Sequence, residues 1–159
     1  MRATVLTIST SRADAQARDE SGDRLTELAH RLGAEAVDRE VLTDDREVIE
    51  SRLRHWADAE GCELILTTGG TGLAPTDVTP EATAAVIDRP APGIAEAIRR
   101  ASESHTELWM LSRGVAGARG STLIVNLPGS PASIDQTAPV LLKALPHALA
   151  LLRGEPGGH

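Results

Sequence analysis

Phenylalanine and tyrosine are absent from this 159-residue sequence, and Trp56 and Trp109 are its only aromatic residues of the large kind. Stacking platforms for single-stranded nucleic acid are therefore nearly excluded. The single cysteine, Cys62, rules out an internal disulfide and any cysteine-based zinc cluster. Its place just before the apolar run 64–66 fits a small buried thiol. No apolar segment approaches the length needed to cross a bilayer, and residues 1–6 lead into a strand pattern without signal-peptide architecture. A cytoplasmic protein with no membrane partner is expected. Basic residues are outnumbered, 16 Lys and Arg against 23 Asp and Glu, for a formal net charge of -7. That field repels a duplex backbone, so no nucleic-acid partner is expected. Phosphate binding has to be local, through backbone dipoles and a metal.

What is present is an alternation of strand and helix patterns. The length suits one domain, taken as residues 1–153, followed by a Gly/Pro-rich flexible tail at 154–159. Residues 4–9 read as a buried strand, and residues 21–29 as an amphipathic helix that Gly33 closes. Residues 36–42 alternate as a strand. Asp44 or Asp45 then caps a helix carrying Val48, Ile49, Leu53 and Trp56 on one face and ending at Gly61. A strand at 63–68 follows. This order predicts an α/β fold, a three-layer αβα arrangement around a doubly wound, mostly parallel sheet, with ligands beyond the carboxyl ends of the strands.

Thr79 as N-cap, Pro80 at the first helical position and Glu81 predict a helix running to about Asp88. Pro90 and Pro92 break the chain before a helix at 93–101. Residues 109–112 and 115–126 predict a tight hairpin around Gly120, hence one antiparallel strand. Trp109 and Met110 read as core residues, with a subunit contact as the alternative. Ser130 caps another helix start at Pro131, and Pro139 starts a last helix with Val140, Leu141, Leu142, Leu145, Leu149 and Leu152 on its apolar face, kinked at Pro146.

The chemistry concentrates in two strand-to-helix turns. In the first, an apolar strand runs through Thr67 and Thr68 into Gly69, Gly70, Thr71 and Gly72, with Asp77 a few residues on. Glycines permit positive φ and close approach, so successive N–H groups can turn inward to hold phosphate oxygens. A carboxylate nearby can hold the divalent cation that phosphates bring. The turn is neither a dinucleotide-binding fingerprint nor a P-loop, so a dinucleotide or nucleotide-sugar domain lacks its motif here. The second turn is Asn126, Leu127, Pro128, Gly129, Ser130 and Pro131.

Asp44 follows the second strand and Asp77 the third, where both can share Mg2+ if adjacent strands deliver them to one rim. Asp44 as a helix cap and Asp77 as a turn residue are the other readings. Arg12 and Arg113 follow strand ends and read as either phosphate clamps or surface charges. His30, His55, His105 and His147 lack metal-ligand spacing, and His159 belongs to the tail.

Taken jointly, residues 67–72, 77–82 and 126–131 resemble the MogA/MoaB family of molybdenum-cofactor biosynthesis, with a molybdopterin-binding fold over nearly the whole chain. Residues 10–12 and Asp19 to Gly22 stand where that family carries Ser-Asp-Arg and Asp-x-x-Gly, and Ser11 replaces the commoner Asp. The resemblance implies adenylyl transfer from ATP to molybdopterin, giving adenylylated molybdopterin and pyrophosphate. It implies catalytic and Mg2+-binding roles for Asp44 and Asp77, and a substrate groove lined by Thr67, Thr68, Gly69, Gly70, Thr71, Gly72, Ser112, Asn126, Pro128, Gly129 and Ser130, with Arg12 beside it. A homotrimer or hexamer is implied, with a downstream molybdenum-insertion protein as a further partner. A non-catalytic pterin-binding or scaffolding homologue is the alternative.

Overall fold

A computed structural model describes residues 1–15 and 18–155. The strands and helices follow in the order β1 (Arg2–Ile8), α1 (Thr10–Ala15), α2 (Glu20–Arg31), β2 (Ala36–Leu42), α3 (Arg46–Arg54), β3 (Leu64–Thr68), α4 (Thr79–Val86), β4 (Arg89–Pro90), α5 (Pro92–Ala101), β5 (Ala116–Arg119), β6 (Thr122–Leu127) and α6 (Pro131–Leu152). The sheet order is β2-β1-β3-β6-β5-β4. β2, β1, β3 and β6 are mutually parallel. β5 is antiparallel to both β6 and β4, so it alone runs against the other five.

Alternate side chains along the central strands divide the core into two layers. Val5, Leu64, Leu66, Val125 and Leu127 pack with Leu25 and Leu28 of α2, Ile98 of α5, and Ile134, Leu141, Leu145 and Leu149 of α6. On the other face Leu6, Ile8, Ile65 and Ile124 pack with Ile49 and Leu53 of α3, Trp56, and Ala82 and Val86 of α4. Each such buried Leu or Ile contributes about 1.5–3 kcal/mol. The three-layer, mostly parallel architecture with one reversed strand is the expected one. Among the described residues no helix is long and apolar enough to cross a membrane.

Several local expectations change. Val48 is exposed, because Ile49, Leu53 and Trp56 share the buried stripe and the preceding position is turned about 100° from it. A π-helical turn at His55–Ala59 extends α3. Val78 rather than Thr79 flanks α4, and Thr79 is its first residue. Residues Glu107–Leu111 form a 3-10 turn instead of a strand, and Met110 is 63% exposed rather than core. Pro139 lies inside α6, which starts at Pro131. The buried run Ile134, Thr137, Ala138 and Leu141 carries the helix past the proline. Of the expected tail, residues 156–159 lie outside the described residues.

Candidate functional site

From β1 the chain first moves to β2 on one side, then returns to place β3 on the other. The carboxyl ends of β1 and β3 therefore border the switch point of the sheet, where open α/β folds form ligand crevices. The turn leaving β3 packs against the end of β1 so closely that a Cβ at Gly69 would lie 2.3 Å from the Ile8 carbonyl oxygen. The turn leaving β6 comes up on the other side, with the Cβ position of Gly129 3.4 Å from Gly69 Cα. Three strand ends thus converge.

Gly69 and Gly70 adopt φ of +96° and +64°, the left-handed region that glycine enters without strain. Gly72 does not share it. There the missing side chain leaves room for Asp77, whose Oδ2 lies 2.7 Å from where a Cβ would stand.

The carbonyls of this first turn are engaged one after another. Thr79 Oγ1 donates to Gly69 O at 3.0 Å, and Thr79 N–H to Gly70 O at 3.1 Å. Arg113 donates its backbone N–H to Thr71 O at 2.8 Å and Nε to Gly72 O at 2.7 Å. Among the described residues no acceptor takes the N–H of Gly70, Thr71 or Gly72. A turn with its carbonyls occupied and its amides left over presents the positive ends of its peptide dipoles, which is the chemistry of an anion site.

Two carboxylates flank this turn. Asp44 Oδ1 lies 3.5 Å from the Cβ position of Gly70, and Asp77 Oδ2 borders Gly72. They reach one rim, although not from adjacent strands as expected, because β1 stands between β2 and β3. Both are partly exposed. Asp44 Oδ2 accepts from Thr10 N–H at 2.8 Å and Thr10 Oγ1 at 2.9 Å, holding the first residue of α1. Asp45 caps α3 instead, accepting from the N–H groups of Glu47 and Val48. Asp77 Oδ2 accepts from Ala74 N–H at 3.0 Å. The Oδ1 atoms of Asp44 and Asp77 have no donor among the described residues. No group of three or more His, Cys, Asp or Glu able to cage a metal occurs among the described residues. Two carboxylates with one oxygen apiece to offer, beside an anion cradle, match Mg2+, which binds through one or two carboxylates plus substrate phosphates and keeps waters.

Thr67 and Asn126 were expected in the groove, and their burial corrects that for the side chains. Asn126 is 1% exposed. Its Nδ2 donates to Thr67 Oγ1 and Thr83 Oγ1, each at 2.9 Å, and its Oδ1 accepts from Val115 N–H at 3.1 Å. Every hydrogen-bonding atom of the amide is engaged in tying β6 to β3, α4 and the segment before β5. Thr68 is also buried, and donates to Pro128 O at 2.7 Å. Thr71 is 5% exposed, leaving its backbone as the part at the site. Ser130 caps α6, accepting from Ser133 N–H at 3.1 Å. Ser112 and Pro128 line a cavity of about 190 Å³ together with Ser102, Trp109 and Ser133.

The two arginines differ. Arg12 sits in α1, where its N–H donates to Ser9 Oγ at 3.4 Å. Arg113 is no free clamp: besides Gly72 O, its guanidinium donates to Asp77 O at 2.8 Å and pairs with Glu81. That hydrogen bond holds the Glu81 carboxyl below its ordinary pKa and raises that of Arg113.

Three residues that support the turns carried little sequence signal as such. Ser21, fully buried, donates to Gly129 O at 2.7 Å. Thr10 holds Asp44, and Thr79 holds Gly69. Ser21 lies within the Asp19 to Gly22 segment, where Asp19 caps α2 and accepts from Thr7 Oγ1 at 2.6 Å. The family resemblance marked the segment; the cap and the partner across the sheet needed the fold.

Comparison with known proteins points the same way. The family described as a probable molybdopterin binding domain matches residues 4–147. The sequence is 41% identical over 115 residues to a protein of Helicobacter pylori named molybdopterin adenylyltransferase, covering 72% of this chain and 65% of that one. It is 40% identical over 149 residues to the molybdenum cofactor synthesis protein cinnamon of Drosophila melanogaster, covering 93% of this chain. The chain thus spans less than two thirds of the first relative and 25% of the second. Among solved structures, the molybdopterin biosynthesis enzyme MoaB of Thermus thermophilus is 43% identical, with a TM-score of 0.86 and 99% of each chain covered.

Proposed function

Because the chain belongs to the MogA/MoaB family of molybdenum-cofactor biosynthesis, we propose that it is a molybdopterin adenylyltransferase, a single molybdopterin-binding domain over residues 1–153. A phosphate oxygen of molybdopterin attacks the α-phosphorus of ATP, the new P–O bond forms as the bond to the departing pyrophosphate breaks, and adenylylated molybdopterin is released. The observation that carries this reading is the first turn, whose amides at Gly70, Thr71 and Gly72 are left for an anion while its carbonyls are held.

Phosphoryl and nucleotidyl transfers ask little covalent chemistry of a protein, so positioning and charge neutralisation suffice. The amides of residues 70–72 hold phosphate oxygens at fixed places, and the partial charges are preorganised before the reaction. Gly129 and Ser130 border the same groove, and the Ser112 cavity receives the part of the substrate that lies beyond the phosphates. Arg12, on α1 just after β1, would add positive charge for the phosphates. Asp44 and Asp77 would hold Mg2+, which when bound neutralises triphosphate charge and stabilises the leaving pyrophosphate. Thr67, Thr68 and Asn126 act from beneath, by fixing the two turns.

The test is formation of adenylylated molybdopterin and pyrophosphate from ATP, molybdopterin and Mg2+, alongside calorimetry with each substrate. Asp77→Asn is expected to lower turnover by about a hundredfold with the fold intact. Normal turnover by that variant overturns its role. Binding of both substrates without product identifies instead a non-catalytic pterin-binding or scaffolding homologue. A cytoplasmic homotrimer or hexamer, handing product to a molybdenum-insertion protein, completes the proposal. The exposed apolar side chains of Leu108, Met110 and Leu111 support a subunit contact. Light scattering that returns a strict monomer contradicts it.

A further inference from the structure

We propose that Arg113 is a positioning residue, which fixes the loop from Thr71 to Asp77 in its ligand-ready shape and ties that shape to the cavity beside Ser112. Its backbone N–H and all three guanidinium nitrogens donate to this region: N to Thr71 O, Nε to Gly72 O, Nη2 to Asp77 O, and Nη1 to the Glu81 carboxylate. These acceptors span both flanks of the loop. Gly72 O lies at the glycine turn, and Asp77 O belongs to the residue whose carboxylate faces Gly72. Holding both carbonyls from one planar group fixes the distance across the loop, and with it the direction of the Asp77 side chain.

The chemistry is specific to arginine. A planar guanidinium offers donors in several fixed directions, whereas a lysine ammonium offers all its donors from one atom. Glu81 depends on the same group. Its Oε2 is buried with no hydrogen-bond partner among the described residues, so Oε1 and Arg113 together supply the only described side-chain restraint on that carboxylate. Arg113 directly follows Ser112, which lines the cavity with Pro128. A displacement of the cavity wall therefore reaches the glycine turn through one peptide bond and a rigid fork.

Amide hydrogen exchange on the whole chain tests the conformational part without any assumption about the reaction. Ala74 N–H is bonded to Asp77 Oδ2 and Asp77 N–H to Ala74 O, so both report on the loop. Arg113→Lys is expected to speed exchange at these two amides by about tenfold, leaving the β3 amides unchanged. Glu81→Gln, which keeps one acceptor, is expected to fall between wild type and Arg113→Lys. Unchanged exchange at both amides in Arg113→Lys and in Arg113→Ala overturns the proposal.

The kinetic part rests on the adenylyl-transfer reading. There, Arg113→Lys lowers kcat by about tenfold while KM for molybdopterin and the melting temperature change little. A fall in melting temperature with kcat preserved identifies a merely structural staple and overturns the positioning role. If exchange rises as expected but wild-type protein forms no product, the adenylyl-transfer reading fails and the loop-fixing role stands.

Discussion

The two turns that meet at the switch point solve one problem by different means. The turn after β3 is long, uses two left-handed glycines, and is held from outside by Thr79 and by an arginine 41 residues further along the chain. The turn after β6 is short and has no left-handed residue. It is held by two hydroxyls, Thr68 on Pro128 O and Ser21 on Gly129 O, and closes itself with the Ser130 cap. In both, side chains occupy carbonyls and leave amides facing away from them. The difference lies in where the restraint originates: the short turn is held by residues that precede it, from β3 and from α2, and the long one by residues that follow it, at the start of α4 and before β5.

Removing the buried amide at the head of the short turn gives the largest stability effect. Asn126→Ala strands the Val115 N–H and two threonine hydroxyls in the core, and is expected to cost about 2–3 kcal/mol in chemical denaturation. A loss below half of that would mean that water replaces the amide, and that the turn is less dependent on it than its bonds indicate.

Glycine substitution compares the turns directly. Gly70→Ala is expected to destabilise by about 1–2 kcal/mol, from its positive φ and a Cβ placed 2.4 Å from Thr79 Oγ1. Gly129→Ala meets a single close neighbour at 3.4 Å with no left-handed φ, and is expected to cost less. Equal losses would erase the distinction between the turns. Ser130→Ala should remove about 1 kcal/mol through the lost cap of α6, with substrate affinity changed less than by Gly70→Ala.

Acid gives the smallest and most local effect. Arg113 holds the Glu81 pKa below its ordinary 4.5, so the pair's contribution is fully present above that pH and is lost as pH falls through the lowered value. Exchange at Ala74 and Asp77 should therefore accelerate in this acid range relative to the intrinsic rate, and Glu81→Gln should flatten the response. Asp19 responds in the same direction. Burial raises its pKa, but hydrogen bonds from Thr7, Gly22 N–H and Arg39 outweigh that, and a comparison with Asp19→Asn separates the two contributions.

Much of the architecture was legible because the buried strands are short apolar runs and the helix starts carry caps: Asp45 and Ser130 accept from the first-turn amides of their helices. The glycine turn was legible for the same local reason, since Gly69 and Gly70 take the positive φ that glycine permits. What local pattern did not reveal was decided by distant partners. Pro139 looked like a helix start, since its ring removes a backbone bond, yet packing on both sides of it keeps one helix running. The family resemblance put Asn126 in the groove, while the partners that engage its amide come from β3, α4 and the segment before β5. Asp44 and Asp45 each suited the cap of α3; Asp45 takes it, while Asp44 reaches across to hold Thr10 at the start of α1. Arg113 suited a phosphate clamp by its place, and only the fold reveals that three peptide carbonyls and a carboxylate already take its donors.

The reversal of β5 decides which stretches of this sequence can drift in length. Every other strand bordering the site contributes the residues that come after it, whereas β5 contributes the ones that come before, including Ser112 and Arg113. Its far end, with Gly120 at the hairpin tip, lies at the opposite pole of the sheet. Extra residues inserted at 120–121 would lengthen a remote loop, while one added between Arg113 and Ala116 would shift the guanidinium out of register with its acceptors.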